Sequence, residues 1–311
     1  MASTSKYEMM EWTVRPSTLK RYRQSVIHFS NWCRHHGDDT NDIDEFDELL
    51  LEYIYYLYQN KNGKSKASTT LYGIQLYLPQ VKLKLPRSLQ ALKGWNKHVP
   101  GSSYPPLTWE LTVVIAVQLC RHDKYQYGVG ILLAFDCFFR ISELCDIKHK
   151  DIADDGDRRI SSEHKGMMIR LPTTKTGKNQ WVTVEDQDVK HLVRTLLKRT
   201  KPGDKLFPFS TSSFRIHMKN VCAELGLSSQ YTPHSLRHGG ATRYRHVLGW
   251  SIENVTARGR WSSSMSSRRY IQSGKALLLT MSAPPEINHL GSIMVKDITG
   301  YLTSALPQKH I

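Results

Sequence analysis

The chain has 311 residues, 40 % of them apolar, enough for one large domain or two ordinary ones with real cores and against wholesale disorder. A formal charge of +15 and a pI near 9.6 point to a polyanionic partner, nucleic acid first and an anionic membrane surface second. Apolar runs such as 111–120 and 131–139 fall short of the ~20 residues a bilayer span needs, no apolar signal core opens the chain, and five cysteines without a CxxC pair read as reduced core thiols of an intracellular protein.

In chain order, Leu19, Tyr22, Val26, Phe29 and Cys33 recur at helical spacing, with Ser17 as N-cap and Gly37 as stop. Phe46, Leu50, Tyr53, Ile54 and Leu57 form a second stripe, and 67–78 and 88–97 predict two shorter helices. Residues 1–98 are therefore expected to form an all-helical domain. The Pro-, Gly- and Ser-rich stretch that follows predicts a linker over 99–106. Beyond it, 109–122 and 124–139 predict buried helices and 140–149 a short amphipathic one. Asp151–Asp157 reads as a turn, and 167–172 and 180–184 as strands joined by a turn at 173–178. Helices return near 187–200, 211–225, 233–247 and 251–258. The expected fold class is mainly α: a helical N-terminal domain, then an α-rich domain over 107–275 with a small antiparallel sheet, then a tail over 276–311.

The charge is unevenly spread. Residues 53–109 carry eight Lys/Arg and no acid; residues 190–275 carry sixteen Lys/Arg against three acids. Either block alone reads as a solvated helical face. Two blocks in separate domains fit a clamp around double-stranded DNA, because released counterions drive phosphate binding. Lys61, Lys64, Lys66, Lys82 and Lys84 in the first block are candidate DNA contacts, as are Arg243, Arg245, Arg268 and Arg269 in the second. Several motifs fail. NGKS at 62–65 lacks the earlier glycine of a phosphate loop, where Tyr58 stands. Asp151, Asp154, Asp155 and Asp157 mimic a calcium loop, but Ala153 and Ser162 hold required ligand positions. Ser17-Thr-Leu-Lys20 with Lys175-Thr-Gly177 mimics a penicillin-binding enzyme without its SDN element. No spacing of the fourteen histidines suggests a metal site.

What remains is a set of cations and donors plus one tyrosine. Arg140 opens an RISEL helix, Lys175 sits at a hairpin tip, and His234 and Arg237 share one helical face in TPHSLRHGG. Trp261 follows in GRWSS and Tyr270 in SSRRYI. Guanidinium forks, an imidazole and an indole N–H can hold the oxygens of a phosphodiester, and a tyrosine can attack its phosphorus. Such an attack calls for charge stabilisation, not a metal. Taken singly, Arg140 reads as a surface residue and Trp261 and Tyr270 as packing residues; Tyr231 and Tyr244 are rival nucleophiles.

The order Arg140, Lys175, His234-Ser-Leu-Arg237-His238, Trp261 and Tyr270 resembles the tyrosine recombinase/integrase family, whose catalytic fold is shared by type IB topoisomerases. The resemblance spans about 107–275, and residues 17–97 are similar to the family's core-binding domain. GRW at 259–261 stands where many members read LGH. The GRWSS…YI wording resembles eukaryotic mobile-element recombinases (Crypton-like and DIRS-like), which implies a nuclear protein; otherwise it would be cytoplasmic. The resemblance implies strand cleavage by Tyr270 through a 3′-phosphotyrosyl link, with Lys175 protonating the leaving 5′-hydroxyl. Arg140, His234, Arg237 and Trp261 would stabilise the transition state, with no cofactor, metal or ATP. Glu143 and His238 would support the set, against plainer roles in helix solvation and core hydrogen bonding. The partners implied are double-stranded DNA and, on DNA, a homotetramer, with no membrane; residues 276–281 and the following SAPPEIN are candidates to dock on a neighbouring protomer. A type IB topoisomerase-like relaxase and a domesticated, non-catalytic DNA-binding protein are the alternatives.

Overall fold

The computed structural model of the chain describes residues 6–36, 42–99, 104–155, 157, 159, 166–174 and 177–305. The chain divides into two compact units, Met1–Ser102 and Ser103–Ile311. Of the expected linker, residues 100–103 lie outside the described residues.

The first unit is all helix among its described residues: α1 (Lys6–Glu11), α2 (Pro16–His36), α3 (Ile43–Gln59), α4 (Lys64–Tyr77), a 3₁₀ turn at Pro79–Val81, and α5 (Pro86–His98). α2 starts at Pro16, ahead of the expected cap Ser17. Asp42 caps α3, accepting from the N–H groups of Asp44 and Glu45 at 2.8 and 3.0 Å. The two stripes close on one core of Phe29, Leu50, Tyr53, Ile54, Leu57, Leu71, Ile74 and Leu85. One buried carboxylate, Asp47 of α3, accepts from the N–H groups of Arg87 and Ser88 at 2.8 and 3.0 Å. It satisfies the open N-terminus of α5, where a negative charge is favoured.

The second unit is built on α6 (Trp109–Arg121) and α7 (Tyr125–Asp136), which pack closely against each other. Residues 111–120 of α6 are buried except for Gln118, as a helix surrounded by protein on all sides must be. Then come α8 (Ile141–Asp146), a 3₁₀ turn at His149–Asp151, β1 (Ile152–Ala153), β2 (Met168–Thr173), β3 (Lys178–Thr183), α9 (Gln187–Lys198), α10 (Thr211–Glu224), α11 (Pro233–His246), α12 (Ile252–Gly259), α13 (Ser264–Arg268), α14 (Ser273–Met281), α15 (Pro285–Met294) and α16 (Ile298–Ser304). The sheet is antiparallel in the order β1-β2-β3, with Ile152 opposite Ile169 and Ile169 opposite Val182, all three buried. The mainly α architecture with one small antiparallel sheet is thus the expected one.

Four local expectations change. The helix expected over 124–139 stops at Asp136, and Phe138 takes a left-handed φ of 51°. The carbonyls of 136–138 thereby leave the helical ladder and serve as acceptors for buried arginines. The helix expected over 140–149 breaks into α8 and the 3₁₀ turn. The turn expected from Asp151 contributes β1 as a third strand. Its carboxylates bind arginines: Arg170 donates to Asp151 at 2.6 Å, and Arg194 to Asp154 at 2.8 Å. Finally, residues 276–311 contain helices. α15 packs on α6 and α16 on α6 and α9, with Thr299 donating to Asp188 at 2.7 Å. α14 instead leaves Leu277, Leu278 and Met281 exposed.

α11 packs tightly across the end of α7. A Cβ on Gly240 would lie 2.2 Å from the Phe135 carbonyl oxygen and 2.6 Å from Phe138 Cδ1. Neither backbone can yield without moving a helix. Gly240→Ala is therefore expected to cost ~3 kcal/mol in chemical denaturation, the upper end for an overpacked core. A loss below ~1 kcal/mol would mean the two helices separate freely.

Candidate active site

Five segments meet at one end of α11. The chain leaving α7 supplies carbonyls, Arg140 precedes α8, Glu143 lies within α8, His234, Arg237 and His238 come from α11, and the end of α12 leads into Trp261. Pro233 opens α11, and the Ser235 hydroxyl accepts from the Thr232 N–H at 3.0 Å. The three-residue spacing then turns Arg237 inward.

Arg237 is fully buried. Its Nη1 donates to the Phe138 carbonyl and its Nη2 to the Gly259 carbonyl. Its guanidinium lies 4.7 Å from the Trp261 ring and 5.6 Å from the Tyr270 ring. Burial, then the charges of Arg140 and Arg260, pull its pKa down to about 9, so it remains a cation at neutral pH. Its Nε and the Trp261 Nε1 are buried donors with no hydrogen-bond partner among the described residues.

Glu143 is the buried anion of the site. Its Oε1 accepts from Arg140 Nη1 at 2.5 Å, and its Oε2 accepts from Arg260 Nη2 and the Arg140 N–H, both at 2.9 Å. Arg237 Nη1 lies 3.9 Å away. Burial alone would raise the carboxyl pKa, but Arg260, the Arg140 N–H, and the charges of Arg140 and Arg237 hold it below the usual range.

The Tyr270 ring is half-buried between the rings of His238 at 4.4 Å and Trp261 at 4.7 Å. Its backbone is tethered: Thr242 Oγ1 donates to the Tyr270 carbonyl at 3.3 Å and accepts from the Gln272 N–H at 3.1 Å. The Trp261 indole lies over Gly259, where a Cβ would fall 1.9 Å from the ring, so only glycine fits. The rival tyrosines are enclosed. Tyr244 donates to Asp136 Oδ1, and Tyr231 is buried.

His234 stacks on Tyr104 at 5.0 Å between ring centroids. Burial, then Arg237, Arg140 and Arg215, lower its pKa and favour a neutral imidazole. In His238, burial foremost, then the charges of His234, Arg237 and Lys275, push the pKa down to about 4. An unfolded histidine titrates near ~6.5. Between these values the folded chain binds fewer protons than the unfolded one, so stability rises with pH across that window. Acidifying from about 6.5 to 4 should cost up to ~3 kcal/mol from this group. His238→Gln should remove most of that loss, read by denaturation at both pH values; an unchanged slope would assign it elsewhere.

Lys175 lies outside the described residues. Of the candidate DNA contacts, Lys61, Lys82, Lys84, Arg268 and Arg269 are exposed and Lys66 is half-buried. Lys64 donates to the Val99 carbonyl at 2.8 Å, Arg245 to the Trp250 carbonyl at 2.9 Å, and Arg243 stacks 4.9 Å from the Trp109 ring. Sequence reasoning missed Asp136, Arg258 and Arg260. Arg258 donates to the Asp136 carbonyl at 2.7 Å and to the Tyr244 hydroxyl at 3.2 Å, bracing the site from behind. The available signal was the RGR run before Trp261, two arginines beside a glycine.

Helical packing around a small antiparallel sheet, with the arginines gathered at the end of α11, is the tyrosine recombinase catalytic fold. The sequence profile of the phage integrase family matches residues 114–276, just over half of the chain. The chain belongs to the phage integrase family. Among solved structures it is similar to a lambda integrase tetramer bound to a Holliday junction, with a TM-score of 0.59 and 13% identity over 86% of this chain and 75% of that one. It is also similar to a lambda integrase dimer bound to a COC′ core site, with a TM-score of 0.57 and 14% identity over 83% and 72%. The Tn1549 transposon integrase in complex with circular intermediate DNA gives a TM-score of 0.52 and 13% identity over 85% and 98%. No curated protein sequence matches the chain. Among the described residues, no helix is long and apolar enough to cross a membrane.

Proposed function

We propose that the protein is a site-specific DNA recombinase that cuts and rejoins strands through Tyr270. The observation that carries this reading is the Tyr270 ring packed against the buried Arg237 guanidinium and Trp261, in a site whose cations outnumber its one carboxylate. A phosphodiester is the anion such a site suits: guanidinium donors answer its non-bridging oxygens, and the surplus charge grows in value as the phosphorane forms.

In the reaction, the Tyr270 hydroxyl gives its proton to water and its oxygen bonds to phosphorus as the phosphorus–O5′ bond breaks. The strand is left as a 3′-phosphotyrosyl ester, and the departing 5′-oxygen takes a proton from Lys175. Arg140, His234, Arg237 and Trp261 hold the phosphoryl oxygens, while Glu143 and His238 support them. A 5′-hydroxyl from another strand reverses the step and releases Tyr270. The phosphate ester is conserved throughout, so no ATP is spent. Exchange between four strands calls for a tetramer on double-stranded DNA. The GRWSS…YI wording favours a eukaryotic mobile element of the Crypton or DIRS kind, and with it a nuclear site of action.

The test is covalent trapping. Duplexes enriched from a random pool by binding are nicked beside candidate cleavage positions and incubated with the protein without metal or ATP. A protein–DNA band that survives denaturing electrophoresis is expected. Tight binding to the same duplexes with no such band, and no relaxation of supercoiled plasmid, would leave a DNA-binding protein without strand transfer.

A further inference from the structure

Arg260 stands inside GRW at 259–261, but neither that motif nor the reaction above gives it a role. It caps α12 at φ 54° and ψ 41°, the left-handed region that favours glycine. Its guanidinium is nevertheless buried and runs back beneath the site. Nη2 donates to Glu143 Oε2 at 2.9 Å and to the Phe138 carbonyl at 3.1 Å; Nη1 donates to the Arg258 and Cys137 carbonyls at 3.0 and 3.3 Å. The conformation is held because the side chain has these four acceptors to reach, and a strained residue fixed this way beside a reactive centre points to a role there.

The charges give that role content. Glu143 faces Arg140, Arg237 and Arg260, so three guanidiniums meet one carboxylate and two positive charges are left over. A phosphodiester carries one negative charge and its phosphorane two. We propose that Arg260 is a positioning residue that neutralises Glu143 from below. Glu143 can then fix the geometry of Arg140 without consuming the charge that Arg140 and Arg237 offer the phosphate. Without Arg260, the carboxylate would cancel one of those two cations. This inference rests on the site being the phosphoryl-transfer centre.

The experiment is single-turnover adduct formation on the nicked duplex, run beside equilibrium binding to the same DNA. Arg260→Gly removes the guanidinium and suits the backbone conformation. It is expected to leave the Kd within about twofold and slow cleavage by roughly 10- to 100-fold, the usual loss when a supporting partner goes. Arg260→Lys should recover part of the rate. Glu143→Gln combined with Arg260→Gly should cleave about as fast as Glu143→Gln alone, because no carboxylate is then left to neutralise. Arg260→Gly cleaving at the wild-type rate would overturn the proposal. So would a double variant whose loss is the product of the two single losses, the sign of independent structural damage. If Arg260→Gly does not fold, Arg260→Gln, which also removes the charge, gives the same comparison with and without Glu143→Gln. A wild-type protein that forms no adduct removes the phosphotyrosyl reading and this proposal together, a result distinct from one slow variant.

Discussion

Tyr270→Phe is expected to abolish the covalent adduct and to leave DNA binding and folding close to wild type. The ring stays where it is, packed against His238, Trp261 and Arg237, so the substitution removes one oxygen and no contact area. The stability change should therefore fall below ~1 kcal/mol. The rate of strand cleavage should fall by on the order of 10⁴-fold or more, as when a nucleophile is deleted from a site whose other parts remain. A denaturing gel of the trapped complex reads the rate and a binding titration reads the affinity. Tyr244 and Tyr231 cannot take over, because one is bonded to Asp136 inside the core and the other is enclosed. An adduct that persists in the Phe variant would move the nucleophile to an exposed tyrosine elsewhere and remove the reason for the cationic site.

How much of this is legible without coordinates depends on what carries each feature. The stripes of the first unit, Phe29 with Leu50, Tyr53 and Leu57, are set by helical periodicity, and those helices lie close to where the stripes put them. The spacing of His234 and Arg237 likewise puts them on one face of α11. The end of α7 is different. Residues 131–139 are apolar but for Asp136, and one acid inside such a run does not mark the last helical residue. What stops the helix is demand from afar: Arg237, Arg258 and Arg260, 99 to 123 positions later, take the carbonyls of 136–138. The same long-range pairing hides Arg258 and Arg260, since an arginine is ordinarily a surface residue and only its partners make it a buried one. The C-terminal helices escape notice for a related reason. α15 and α16 earn their stability by docking on α6 and α9, a tertiary effect that local periodicity does not announce.

Arg237→Lys separates charge from geometry at the centre of the site. The wild-type guanidinium meets the Phe138 and Gly259 carbonyls with its two terminal nitrogens while its plane lies against Trp261. A lysine is a single point charge and reaches one carbonyl at most; the Phe138 carbonyl keeps its bond from Arg260 at 3.1 Å, so a lysine turned to it leaves the Gly259 carbonyl buried and unpaired at a cost of ~1–3 kcal/mol. Losing the flat contact with the indole adds ~1 kcal/mol. The expected stability loss is thus ~2–4 kcal/mol by chemical denaturation. Cleavage should fall ~10²–10³-fold, the range for removing one preorganised donor from a developing oxyanion. DNA affinity should change less below neutral pH, where the net charge is kept. The residual activity should also acquire a pH dependence. The surroundings that bring this arginine from 12.5 to about 9 would bring an ammonium that starts near ~10.4 into the neutral range. Cleavage by the lysine variant should therefore decline as pH rises through neutrality, where the wild-type rate, with Arg237 still charged, loses nothing from this group. A lysine variant that cleaves within tenfold of wild type with a flat profile would mean that a buried charge suffices, and that the fork and the indole stack serve folding alone.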